Sequence, residues 1–139
     1  MAPQPAAGYS GTPLAKKLGI KTGHTVAVIN EPEDFRPLLE PLPDDVAFRD
    51  SLRGNANLVI AFFTERSKLQ ARLPALAKAI YPDAGLWLAW PKKASGVATD
   101  ITGNDIRALG LAAGVVDIKV CAIDETWSGH RFAHRIGNR

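Results

Sequence analysis

Short apolar runs alternate along this chain with a stretch whose apolar residues recur at helical spacing, and this restricts the fold more than any single motif. The runs cover residues 25–29, 58–63, 86–90 and 115–123. Each reads as a buried strand, the first because it is rich in β-branched residues and the second because it is the most apolar. Between the second and third, Leu69, Leu73, Leu76, Ala77 and Ile80 give one apolar face of a helix. Strands joined by helices pair in parallel through right-handed crossovers. The pattern predicts an α/β protein with a mostly parallel sheet.

Local signals place the other elements. Thr12 is the expected N-cap of a short first helix, with Pro13 at its first position and Gly19 at its C-terminal cap. A second short helix is expected from Glu33 to about Glu40, closed by Pro41 and Pro43, then a brief strand over 46–48. Thr64 or Ser67 caps the longer helix, Ser67 with Gln70 matching a capping box, and Pro74 predicts a kink or restart within it. Thr102 caps a helix that runs to Ala113 and stops at Gly114. The short linker from Asp124 to Gly129 makes the strand over 115–123 and a last strand over 130–136 an antiparallel hairpin. Residues 1–9, rich in proline and alanine, are read as a mobile tail, and residues 10–139 as one domain.

Composition narrows the function classes. At 139 residues the chain can bury a real core as a single domain. Its 17 basic and 14 acidic residues leave a net charge of +3. That margin lacks the concentrated basic face of a nucleic-acid binder, so nucleic acid is not expected as a partner. One cysteine, Cys121, excludes an intramolecular disulfide and, within its apolar run, reads as a small buried hydrophobe. The first eight residues have neither the basic nor the apolar region of a signal peptide, and no run approaches the ~20 residues of a membrane span. A cytoplasmic protein without a membrane partner is expected.

Two polar segments are candidate sites. Residues 90–100, Trp-Pro-Lys-Lys-Ala-Ser-Gly-Val-Ala-Thr-Asp, leave the carboxyl end of a buried strand and precede a helix start. Open α/β sheets hold their ligands at that edge. Lys92, Lys93, Ser95, Gly96, Thr99 and Asp100 combine ammonium groups, hydroxyls and a glycine, which suits an anion such as phosphate, although the spacing is not that of a Walker A loop. If the fifth strand runs parallel to the fourth, the turn Asp124, Glu125, Thr126, Trp127, Ser128 reaches the same edge. A tryptophan there suits stacking on a flat ligand or packing at an interface. The plainer alternative has Trp127 covering the hairpin while the acids pair with the lysines, for about 0–1 kcal/mol each.

Catalytic and metal motifs are absent. His130 and His134, four apart on a strand, lie about 13 Å from each other and do not chelate one metal. Ser95-Gly96 and Ser128-Gly129 lack the glycine two residues before a nucleophilic serine. No metal and no cofactor is predicted.

The helix, turn and strand within Leu14 to Ile29, the stretch Leu73 to Trp90 with Pro82-Asp83-Ala84-Gly85 at its middle, and the closing hairpin together resemble the core of class I methyltransferases that use S-adenosylmethionine. The resemblance implies a Rossmann-like three-layer sandwich with a C-terminal antiparallel hairpin. One stretch departs from that family. Its members follow strand one with a glycine-rich turn, whereas here the strand runs into Asn30-Glu31-Pro32-Glu33-Asp34-Phe35. Tyr9 to Phe132 also resembles an uncharacterised bacterial family, the domain of unknown function numbered three thousand and fifty-two. Tyr9-Ser10-Gly11-Thr12-Pro13-Leu14, residues 90–100 and residues 119–129 carry that likeness, which implies no chemistry. The expected function is a non-catalytic domain that binds an anionic small molecule or a protein partner at the carboxyl edge of its sheet. A degenerate methyltransferase-like transferase is the alternative, and a weak nucleic-acid-associated protein the second.

Overall fold

The computed structural model describes residues 12–135 and Gly137. The tail expected over 1–9, and Ile136 at the end of the expected last strand, lie outside them. The elements in order are α1 (Leu14–Leu18), β1 (Thr25–Ile29), a 3-10 turn (Arg36–Leu39), β2 (Ala47–Arg49), β3 (Leu58–Phe62), α2 (Arg66–Ala79), β4 (Gly85–Pro91), a second 3-10 turn (Lys93–Ser95), α3 (Gly103–Ala112), β5 (Val115–Ala122) and β6 (Trp127–His134). They build one six-stranded sheet in the order β2-β1-β3-β4-β6-β5. The first four strands are parallel. β6 inserts between β4 and β5 and is antiparallel to both. β5 therefore runs in the direction of β4, and its carboxyl end lies at the same edge of the sheet.

Strand alternation divides the apolar residues between two layers. Leu86, Leu88 and Trp90 of β4 join Val59 and Ala61 under α2 and α3. Trp87 and Ala89 join Val28, Ile60, Leu18, Phe35 and Leu39 on the opposite face, beneath α1 and the first 3-10 turn. This is the three-layer, Rossmann-like sandwich. α1 has five residues, too few to hold itself. Its anchor is Trp87, fully buried, whose indole N–H donates to the Leu18 carbonyl at 2.8 Å.

Several local expectations are corrected. Pro13, not Thr12, is the N-cap of α1, in an extended conformation without a side-chain bond. The helix expected from Glu33 to Glu40 is a single 3-10 turn, because Pro37 and Pro41 withhold the donors a longer helix needs. Ser67 lies inside α2, whose N-cap is the extended residue Glu65, so the Ser67–Gln70 box does not form. Pro74 does not restart the helix, which runs unbroken through it from Arg66 to Ala79, and both Pro74 and Gln70 are exposed. β6 starts at Trp127, three residues before the expected strand, which makes Trp127 and Ser128 strand residues. The capping box at α3 does form, between Thr102 and Asp105. Cys121 is partly buried against the α1 layer, and burial pushes its thiol pKa up. Among the described residues no helix is long and apolar enough to cross a membrane.

Candidate functional site

The carboxyl edge of the sheet carries a cleft of about 350 Å³, lined by Asn30 and Pro32 after β1, Phe62 at the end of β3 and Phe63 to Glu65 after it, Lys68 of α2, and Trp127 at the start of β6. β1 leads outward to β2, whereas β3 lies on its other side, so the strand order reverses between β1 and β3. Open α/β sheets leave a crevice where connections diverge in this way. Asn30 turns the chain there with φ of 57°, in the left-handed region that asparagine tolerates better than most residues. Its side-chain amide donates to the Phe62 carbonyl at 3.0 Å and ties the two strand ends together. An aromatic ladder forms the floor. Phe35 meets Phe62 edge-on at 4.9 Å, and Phe62 meets Trp127 edge-on at 5.0 Å. Glu65 and Lys68 pair at 2.7 Å, and the bond raises the Lys68 pKa.

Of the ten residues singled out from sequence, Trp127 lines this cleft. Most of the others hold loops. The Ser95 hydroxyl donates to the Lys92 carbonyl at 2.6 Å and accepts from Val97 N–H, and Gly96 closes that turn with φ of 78°. The Thr99 hydroxyl donates to the Thr64 carbonyl at 2.6 Å, and the Asp100 carboxylate accepts Arg66 N–H at 2.7 Å. Together they strap the 97–101 loop onto the β3–α2 junction. The Asp124 carboxylate accepts from the N–H groups of Thr126 and Trp127, at 2.8 and 2.7 Å, and fixes the hairpin turn. Ser128 pairs with Trp90 and Ala122 within the sheet. Glu125 and Lys93 are exposed.

The sequence also placed the two segments side by side, and they touch: Lys92 N–H donates to the Thr126 carbonyl at 2.7 Å. Among the described residues neither Lys92 nor Lys93 forms an ion pair with Asp124 or Glu125, so the lysines do not neutralise those acids. The helix starts at this edge are already occupied. Asp105 accepts Thr102 N–H at the start of α3, and Asp100 serves α2. Sequence reasoning missed Thr64, Glu65 and Lys68 as cleft residues, because a strand end followed by a charged helix start carries no motif.

The chain has the class I S-adenosylmethionine-dependent methyltransferase fold. It superposes on a SAM-dependent methyltransferase from Aquifex aeolicus with a TM-score of 0.61 and 14% identity, over 86% of each chain. Magnesium protoporphyrin IX methyltransferase from Synechocystis with bound SAM aligns with a TM-score of 0.55 and 12% identity, over 88% of this chain and 74% of that one. A NADB-Rossmann superfamily protein from Streptococcus agalactiae aligns with a TM-score of 0.57 and 8% identity, over 92% and 70%. No protein-family model and no curated protein sequence matches the chain, and the resemblance to the numbered family of unknown function is not confirmed.

The residues after β1 fit S-adenosylmethionine poorly. Pro32 lines the cleft and has no N–H to offer. The turn contains no glycine to let a ligand approach the backbone. Glu31 is held by Arg36 through two bonds, at 2.7 and 3.0 Å.

Proposed function

We propose that this protein binds a small anionic molecule in the carboxyl-edge cleft and does not transfer methyl groups. The observation that carries the reading is the position of Trp127. It is a partly exposed indole in a cleft at the switch point, held by the Asp124 turn and backed by Phe62. An aromatic wall of this kind favours a ligand with a flat body. Lys92, bonded through its backbone to the residue before Trp127, and its neighbour Lys93 do not line the cleft, but they are cations without a carboxylate partner among the described residues, and in this reading they draw the ligand's negative charge to the Trp127 end. Among the described residues, the ionisable groups lining the cleft are Glu65 and Lys68, and they are spent on each other.

Thermal-shift screening with nucleotides, phosphosugars and acyl-carrier cofactors tests this reading. A stabilising compound is expected, and its effect should vanish in Trp127→Ala and fall in the Lys92→Ala, Lys93→Ala double variant. If no compound shifts the melting temperature, or the shift survives Trp127→Ala, the cleft is not the site. The alternative of a degenerate methyltransferase is favoured by the fold alone. Heat released on titrating S-adenosylmethionine or S-adenosylhomocysteine into the protein would replace our reading with it.

A further inference from the structure

A second cleft, of about 320 Å³, opens at the opposite, amino-terminal edge of the parallel strands. Its lining includes Lys21 and His24 before β1, Asn57 before β3, Asp83 before β4, and Arg131 of β6. Nothing in the carboxyl-edge reading uses it. Arg131 is its unusual member. The guanidinium is half-buried and reaches 6.0 Å from the Trp87 ring. Gly19 and Gly85 leave it room in this position, since a Cβ on either would stand 2.5 or 2.8 Å from its terminal nitrogens. One of those nitrogens donates to the Leu18 carbonyl at 3.3 Å. Among the described residues no carboxylate pairs with it.

The groups around it are donors. The Asn57 side-chain oxygen accepts Thr25 N–H at 2.8 Å, which leaves its amide N–H groups without a protein acceptor among the described residues. His24 Nδ1 accepts Lys21 N–H at 3.2 Å, so the neutral ring carries its proton on Nε2 and donates from there. Lys21 contributes an exposed ammonium group. Asp83 is the one acid of the lining among the described residues. Burial depresses the His24 pKa first, and the charges of Lys21 and Arg131 depress it further, as expected where positive potential is uncompensated. A guanidinium fork with several converging donors matches the tetrahedral face of an oxyanion, and arginine binds phosphate bidentately. The volume lies at the lower end of the roughly 300–1,000 Å³ typical of small-molecule sites.

We propose that this amino-terminal cleft binds a phosphate group, as the free ion or carried by a small polar molecule, held by Arg131, Lys21, Asn57 and His24. Bound phosphate offsets the charges that Lys21 and Arg131 present to His24, so the imidazole becomes easier to protonate when the cleft is filled. Asp83 opposes the ligand.

Amide and imidazole NMR of the full chain, titrated with inorganic phosphate and separately with glucose 6-phosphate, tests this. Saturable shifts are expected at Lys21, His24, Asn57, Gly85 and Arg131, with a rise in the His24 pKa. Tighter binding of glucose 6-phosphate would show that the cleft also reads the body of the molecule, and tighter inorganic phosphate that it takes the free ion; either supports an oxyanion site. Lys21→Gln, exposed and outside the core, should weaken binding about tenfold, the scale of one charge-assisted hydrogen bond. Asp83→Asn should strengthen it. Arg131→Gln should abolish it, and if that variant does not fold, Lys21→Gln and Asp83→Asn decide. Shifts that do not saturate, that are confined to Lys92, Lys93 and Trp127 at the carboxyl edge, or that leave the His24 pKa unmoved would overturn the proposal.

Discussion

His130 is the one polar side chain in the buried core of the described residues, with 5% of its surface exposed. It stacks on Phe132 at 4.6 Å, and its Nε2 lies 3.7 Å from the Asp117 carboxylate, too far for a hydrogen bond. Burial lowers its pKa, and Asp117 only partly reverses that. The folded state therefore holds His130 neutral, while the unfolded chain protonates it near the ordinary value of about 6.5. Stability from this group is present above that pH and is lost as the pH falls through it. His24, lowered too, adds in the same direction. Denaturation midpoints should fall between about pH 8 and pH 5, and less steeply in His130→Gln. An equal slope in the variant would remove His130 as the source. The other revealing position is Gly110 on α3, where a Cβ would overlap the Phe132 ring. Alanine gains up to about 1 kcal/mol of helix propensity but forces the ring to move, at about 1–3 kcal/mol. Gly110→Ala should therefore destabilise the protein in chemical denaturation, whereas an exposed glycine such as Gly103 has nothing nearer than 3.4 Å to meet.

At the level of elements, α2 owes its start to a residue far along the chain. No acid occupies its first turn, and its N-cap Glu65 makes no side-chain bond. Asp100 supplies both the acceptor and the negative charge that the helix dipole favours. Asp100→Ala should cost about 1 kcal/mol, the size of a lost N-cap, and Asp100→Asn distinctly less. Equal losses would mean that charge, not the hydrogen bond, matters. This long-range cap explains why the α2 start was misread while that of α3 was legible. Thr102 and Asp105 are three residues apart and carry their whole interaction in sequence, whereas Asp100 and Arg66 meet only after β4 has paired with β3. The strands β1, β3 and β4 were legible because burial on both faces demands continuous apolar runs. β6 was misplaced because Trp127 and Ser128 read as turn residues until their pairing with β4 is seen. For the same reason the loop 90–100 was placed at the correct edge, while the use of its hydroxyls as internal fasteners was not visible.

Across the whole molecule, one sheet divides two apolar layers and also joins them. β3 sends Val59 and Ala61 to one side and Leu58, Ile60 and Phe62 to the other. β4 does the same, and both strands sit at the centre of the sheet order. Neither layer can lose its packing without exposing the reverse side of the strands that support the other. The α1 layer adds a direct tie, since Trp87 holds Leu18 and Arg131 reaches the same carbonyl. A domain of this size normally unfolds in one step, and the shared strands give the physical reason here. Two tryptophans report on the two layers independently, Trp87 facing α1 and Trp90 facing α2 and α3. Variants that keep one of them, with Trp127 and the other replaced by phenylalanine, should show fluorescence transitions in urea at the same fraction unfolded as the far-ultraviolet circular dichroism of the same variant. If the Trp87 signal moved at lower urea than the dichroism, α1 and its layer would unfold first. The amino-terminal cleft would then belong to a separately melting part of the structure, because Gly19 and Lys21 enter it directly from α1.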